Sequence, residues 1–144
     1  MSPGTSAPNP LKPDNPPISI LVADDHALIR QIVKSTLNQE PHFEVVGEAA
    51  DGLEAVDKAE KLKPDVVVLN ITMPVLDGFE AARRIRQKLP QTAIVILSTD
   101  IDQRFIAEAK KVGARAYVPK SEASVALAKA IEAAIKNDEF FVVE

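Results

Sequence analysis

The sequence predicts an α/β fold, a (βα)5 array in which helices wind around both faces of a parallel sheet, and three observations carry that expectation. Five short runs rich in Val and Ile, 18–22, 43–47, 65–69, 93–97 and 116–118, alternate with five longer segments whose apolar residues recur at helical spacing. The first three runs are nearly continuously apolar, as strands covered on both faces are. The composition is that of one domain with a single core: 144 residues, 46% hydrophobic, 26% charged, formal net charge −4.

Each element has its own signal. Residues 1–17 hold six of the 11 prolines among Ser, Gly, Thr and Asn, and are expected to be a disordered lead before a domain spanning 18–144. The run 18–22 is followed by a stripe of Leu28, Ile29, Ile32, Val33 and Leu37. After 43–47, Asp51-Gly52 opens a helix carrying Leu53, Val56, Ala59 and Leu62. After 65–69, Asp77-Gly-Phe-Glu80 reads as a capping box for a helix with Leu76, Phe79, Ala82, Ile85 and Leu89 on its apolar face. The run 93–97 leads to a helix with Phe105, Ile106, Ala109 and Val112, closed by Gly113 as a left-handed C-cap. The run 116–118 leads to a helix that Ser121 can cap, with Val125, Ala128, Ile131 and Ile135 as its stripe. Ala126, Leu127 and Ala130 then lie off the stripe, which suits either a dimer or partner contact or ordinary packing on the sheet.

Several classes of function are excluded or disfavoured at this level. The chain has no Cys, which removes disulfides, thiolate zinc sites and cysteine nucleophiles. No segment approaches the roughly 18 consecutive apolar residues of a membrane span, and the first residues lack the pattern of a signal peptide, so a cytoplasmic protein with no membrane contact is expected. With 21 acidic against 17 basic residues there is no electrostatic footprint for DNA or RNA. The cluster Arg83, Arg84, Arg86 and Lys88 is read as a solvated helix face, and no GxGxxG or Walker loop supports nucleotide binding. His26 and His42 share no metal-ligand spacing and are expected at helix-start and loop positions.

In open parallel sheets ligands bind beyond the carboxyl ends of the strands. There the chain carries Asp24 and Asp25 after the first run, Asn70 to Pro74 after the third, Ser98 to Asp100 after the fourth, and Pro119-Lys120 after the fifth. Two adjacent carboxylates repel each other unless a hard cation or a base neutralises them, so magnesium is the natural use of Asp24-Asp25. Taken singly, either Asp could be a helix N-cap, Ser98 a local cap and Lys120 a solvated surface residue. The functional reading rests on their falling at successive strand ends.

The segments Ile20-Leu-Val-Ala-Asp-Asp-His26, Asp65-Val-Val-Val-Leu-Asn-Ile-Thr-Met-Pro-Val-Leu-Asp-Gly78, Ile96-Leu-Ser98 and Gly113-Ala-Arg-Ala-Tyr-Val-Pro-Lys120 resemble a response-regulator receiver domain of two-component signalling. The resemblance covers Ile18 to about Asn137, and Asp24-Asp-His26 with Ile131-Glu-Ala-Ala-Ile135 looks most like receivers of the nitrate-regulator subfamily. Those receivers normally precede a DNA-binding helix-turn-helix; none follows in these 144 residues, so a stand-alone receiver is expected. The resemblance implies a flavodoxin-like fold with strand order 2-1-3-4-5, the order the chemotaxis receiver exemplifies. It also implies a cytoplasmic switch that is not a turnover enzyme. Its partners would be a sensor histidine kinase or phosphotransfer protein, and a downstream effector or second copy bound through helix four, strand five and helix five.

The sequence departs from the family at one position. Where the pattern has the aspartate that becomes an acyl phosphate, this chain has Asn70. A carboxamide is neutral and lacks the nucleophilic oxygen, so it cannot form the ordinary acyl phosphate. By the family pattern, Mg2+ would be ligated by Asp25 directly, by Asp24 mainly through water, and by the backbone carbonyl of Thr72, with Asn70 leaving the site weakened. Lys120 would neutralise phosphoryl oxygens, Ser98 would bond one of them, and Tyr117 would be the aromatic that rotates inward with that hydroxyl. Asn70 is then either a substitution that blocks phosphorylation or the mark of a receiver that signals without it. A haloacid-dehalogenase-like phosphohydrolase and a constitutive protein-interaction domain are the alternatives; the former needs an Asp-x-Asp that Asp24-Asp25-His26 does not supply.

Overall fold

The computed structural model describes residues 16–141, so most of the proline-rich lead lies outside the described residues. The elements run β1 (Ile18–Ala23), α1 (Ala27–Asn38), β2 (Phe43–Ala49), α2 (Gly52–Leu62), β3 (Val66–Leu69), α3 (Gly78–Lys88), β4 (Ala93–Ser98), α4 (Gln103–Lys111), β5 (Ala116–Pro119), a 3-10 turn (Lys120–Glu122), α5 (Ala123–Ile135) and β6 (Phe140–Phe141). All pairings are parallel, in the order β2-β1-β3-β4-β5-β6. The order expected for the first five strands is present. The (βα)5 count falls one strand short, because a two-residue strand leaves no periodicity to read.

Each face of the sheet carries its own core. On one, Val33 and Leu37 of α1 and Leu127 and Ile131 of α5 pack on Ile20, Val22, Val68 and Val95. On the other, Val56, Phe79, Ile85 and Ile106 of α2, α3 and α4 pack on Leu21, Val67, Leu69, Ile96 and Tyr117. All four β3 residues are at most 1% exposed, which is why that run reads as continuously apolar. Burying side chains of this size contributes about 1.5–3 kcal/mol each, and the gain is concentrated in the strands whose ends carry the polar residues.

Local signals hold at some ends and fail at others. Asp51 Oδ1 accepts from the Glu54 N–H at 2.8 Å and Asp77 Oδ1 from the Glu80 N–H at 2.9 Å, so α2 and α3 are capped as expected. Gly113, at φ +90°, ends α4, with the Ala114 N–H donating to the Ala109 carbonyl at 2.9 Å. Ser121 does not cap α5: it is exposed inside the 3-10 turn, and Glu122 starts the helix without a side-chain bond. The α5 stripe is also rotated from the expected one. Val125 is 65% exposed, while Ala126, Leu127 and Ala130 are buried on the sheet, so these three are core and not a free contact face. A helix this rich in Ala and aliphatic residues offers little contrast for choosing its inner side. The basic face of α3 is half-exposed and ion-paired, Arg83 and Arg84 with Glu80, and Lys88 with Glu60.

Candidate functional site

The strand order reverses between β1 and β3, and the crevice beyond their carboxyl ends is the natural ligand position. Backbone bonds hold the two ends level: the Asp24 N–H donates to Ala49 and the Asn70 N–H to Ala23, both at 3.0 Å. Asp24 is 2% exposed, while the Asp25 side chain is 28% exposed. Neither is the N-cap of α1, which is His26, but Asp24 Oδ1 accepts from the His26 N–H at 2.9 Å and steadies that entry.

The charges are partly matched within the chain. Lys120 reaches back from the 3-10 turn to place its Nζ 2.8 Å from Asp24 Oδ2, yet off the line of a hydrogen bond. Oδ2 is buried, and the Lys120 ammonium is the partner that compensates its charge. The His26 Nδ1 lies 3.2 Å from both Asp24 Oδ1 and Asp25 Oδ1. His26 stands at the helix start as expected, and its contact with both carboxylates leaves no spacing signature in the sequence.

Asn70 is 6% exposed, and its amide faces this cluster. Nδ2 donates to the Thr72 carbonyl at 2.8 Å and to Asp25 Oδ1 at 3.2 Å. Its position depends on the loop to α3. The Gly78 N–H donates to Ile71 at 2.7 Å, and a Cβ on Gly78 would stand 2.1 Å from the Asn70 carbonyl oxygen, so α3 can start this close only on glycine. In the same loop the Leu76 N–H donates to Pro74 at 2.7 Å around Val75 at φ 71°. That is a γ-turn, strained for a β-branched residue, and no residue type in the sequence announces it.

Ser98 and Tyr117 meet at the neighbouring loop. Ser98, 2% exposed, accepts the Asp100 N–H on Oγ at 3.0 Å. The Tyr117 ring is fully buried and its hydroxyl donates to the Asp100 carbonyl at 2.7 Å. Burial pushes the phenol above its usual range, a bond to Ser98 opposes the shift, and the charges of Asp100 and Asp102 add to it. The structure thus gathers Asp24, Asp25, Asn70, Thr72 and Lys120 at one sheet edge, and ties Ser98 and Tyr117 together through Asp100.

Asp24, Asp25 and the Thr72 carbonyl form an all-oxygen donor set of the kind that holds a hard divalent cation. The bound ion would neutralise phosphoryl oxygens, and Lys120 stands where it could share that task. A parallel sheet with an acidic pocket and a reaching lysine at its switch point defines an α/β domain with a candidate site for a cation beside an anion.

Comparison with known proteins agrees. The response regulator receiver domain family matches residues 20–132, and the chain belongs to that family. It is 39% identical over 115 residues to the transcriptional regulatory protein DegU of Brevibacillus brevis, covering 80% of this chain and 49% of that protein. The response regulator domain of Thermotoga maritima CheB superposes with a TM-score of 0.78 at 35% identity, over 83% of this chain and 97% of that one. The signal receiver domain of a Mycobacterium tuberculosis protein described as the response regulator NarL superposes with a TM-score of 0.73 at 30% identity, over 81% and 98% of the two chains. The chain spans about half the length of DegU, its first curated relative. Receivers are signalling domains that bind Mg2+ at the pocket formed here by Asp24 and Asp25, and that interact with histidine kinases and downstream effectors. Among the described residues no helix is long and apolar enough to cross a membrane.

Proposed function

We propose that this chain is a receiver that works without acyl-phosphate formation, its phospho-acceptor position being filled by Asn70. The observation that carries the reading is the pair of bonds from Asn70 Nδ2 to Asp25 Oδ1 and the Thr72 carbonyl. These are two of the three protein groups assigned to the cation, and the amide gives each an N–H in place of a metal bond. Binding Mg2+ would require the amide to turn its oxygen inward and give up both bonds, so affinity is weakened rather than abolished. Without a carboxylate there is no nucleophile for a phosphodonor, although Lys120 and Ser98 keep the places suited to holding a phosphoryl group.

The output is binding. The face of α4, β5 and α5 would present the chain to a sensor kinase, a phosphotransfer protein, an effector or a second copy, in the cytoplasm where such partners work. A constitutive interaction domain is the same reading without the switch.

Amide resonances of Asp25, Ser98 and Lys120, followed with Mg2+ and the phosphoryl mimic beryllofluoride, test it. With Mg2+ already at saturation, beryllofluoride should add no saturable shift in the chain, and N70D should show shifts at all three. A saturable response to beryllofluoride with Asn70 in place would overturn the reading.

A further inference from the structure

Beyond α5 the chain turns back on itself. Lys136 caps the helix, Asn137 takes φ 63°, and the Asn137 and Asp138 N–H groups donate to Ala134 at 3.1 Å and Ala133 at 2.9 Å. This is a Schellman-type turn with asparagine at the left-handed position, and it aims the following residues at the free edge of β5. Arg115 holds the turn, its Nη1 donating to the Asn137 carbonyl at 3.3 Å. The Phe140 N–H donates to the Arg115 carbonyl at 3.0 Å, and Ala116 pairs with Phe140 and Tyr117 with Phe141.

The register decides which face each ring covers. Phe140 packs with the α1/α5 core and Phe141 with the core that includes Tyr117 and Ile106. Neighbouring residues in register on adjacent strands project to the same side, so Phe141 stands beside Tyr117 at the sheet edge. The Lys110 Nζ lies 4.9 Å from the Phe141 ring centroid and holds that ring toward α4. Without β6, β5 would be an edge strand and the space beside Tyr117 would be solvent. With it, Tyr117 is 0% exposed and its hydroxyl is bonded to Asp100.

We propose that Phe141 is a latch on Tyr117: by filling the sheet edge beside β5 it keeps the Tyr117 ring buried irrespective of the chemistry at Asn70. The inference rests on the reading of Tyr117 as the switch aromatic. In this chain the position that phosphorylation would otherwise set is set by the C-terminal strand, and Phe141 is the positioning residue.

The sequence provides the probe, since Tyr117 is its one tyrosine and it has no tryptophan. Acrylamide quenching of tyrosine fluorescence in the full chain, F141A and F141L, with far-UV circular dichroism alongside, reads the exposure of that ring. F141A should raise the quenching constant about two-fold or more, as an opened edge admits the quencher, while F141L stays near the parent. If F141A loses its helical signal, F141V carries the same test. Unchanged quenching in a folded F141A or F141V overturns the latch. The underlying reading is separated by N70D/F141A with Mg2+ and a phosphodonor. Reburial of Tyr117 there supports both, whereas an exposed Tyr117 that ignores the phosphodonor leaves the latch standing and removes the switch role.

Discussion

Replacing Asn70 by Asp should lower stability in chelator and create a dependence on Mg2+ stronger than that of the chain itself. Two bonds from Nδ2, to Thr72 at 2.8 Å and Asp25 at 3.2 Å, disappear. At about 1 kcal/mol net for each, their loss costs about 2 kcal/mol. The new carboxylate also faces Asp25 across the distance the amide spans. Two unit charges there repel by about 5 kcal/mol at an effective dielectric of about 20, an upper bound that Lys120, relaxation or proton uptake reduces. The bonds alone set the floor. For a domain of this size roughly 4 °C accompanies each kcal/mol, so the melting temperature of N70D should fall by about 8 °C or more in chelator. Mg2+ at about ten times its dissociation constant should return about 1.4 kcal/mol to N70D. Thermal unfolding followed by circular dichroism in chelator and in Mg2+ measures both. Equal melting temperatures in chelator, or an equal gain from Mg2+ in both proteins, would refute the reasoning.

Three further outcomes follow from the same structure. G78A should cost at least about 2 kcal/mol in urea unfolding, because its Cβ meets the backbone at Asn70 and Ile71, whereas G47A meets first the tip of the Leu62 side chain and should cost less. Glu48 is held below its ordinary 4.5 by Lys34 and Arg30, and Glu54 by the Ala50 N–H and then Lys58. The unfolded chain therefore binds more protons in acid, so this stability is complete above about pH 5 and is lost as pH falls through the depressed values; E48Q should flatten that slope in urea titrations. Tyr117 has the opposite sign: its raised phenol stabilises fully below pH 10 and ever less as pH climbs through the raised value. Ultraviolet titration should find it ionising above 10, and Y117F should remove its share of the alkaline loss; a titration at the ordinary value would contradict its burial.

What sequence could show, and what it could not, divides along physical lines. Buried strands leave long Val and Ile runs, so Val66–Leu69 and its neighbours were legible, and strand ends then located Asp24, Asp25, Asn70 and Lys120. Side-chain direction was not legible. Nothing in the chain says that the Asn70 amide points its nitrogen at Asp25, or that Ser98 spends its oxygen on the Asp100 N–H. The stripe of α5 was misplaced because Ala, Leu, Val and Ile occupy most of its positions, and Ser121 failed as a cap because the 3-10 turn intervenes. Strand β6 escaped because its pairing depends on the turn at Asn137, a tertiary match to β5 that two phenylalanines do not advertise.

The central claim is that a receiver site is assembled here and lacks only its nucleophile. Intact mass, recorded after the chain and N70D are incubated with Mg2+ and a small phosphodonor, tests it most directly. The account predicts a single phosphoryl adduct on N70D and none on the chain. An adduct on the chain would show a nucleophile other than Asn70, and no adduct on N70D would show that Asp24, Asp25, Ser98 and Lys120 do not form a competent site.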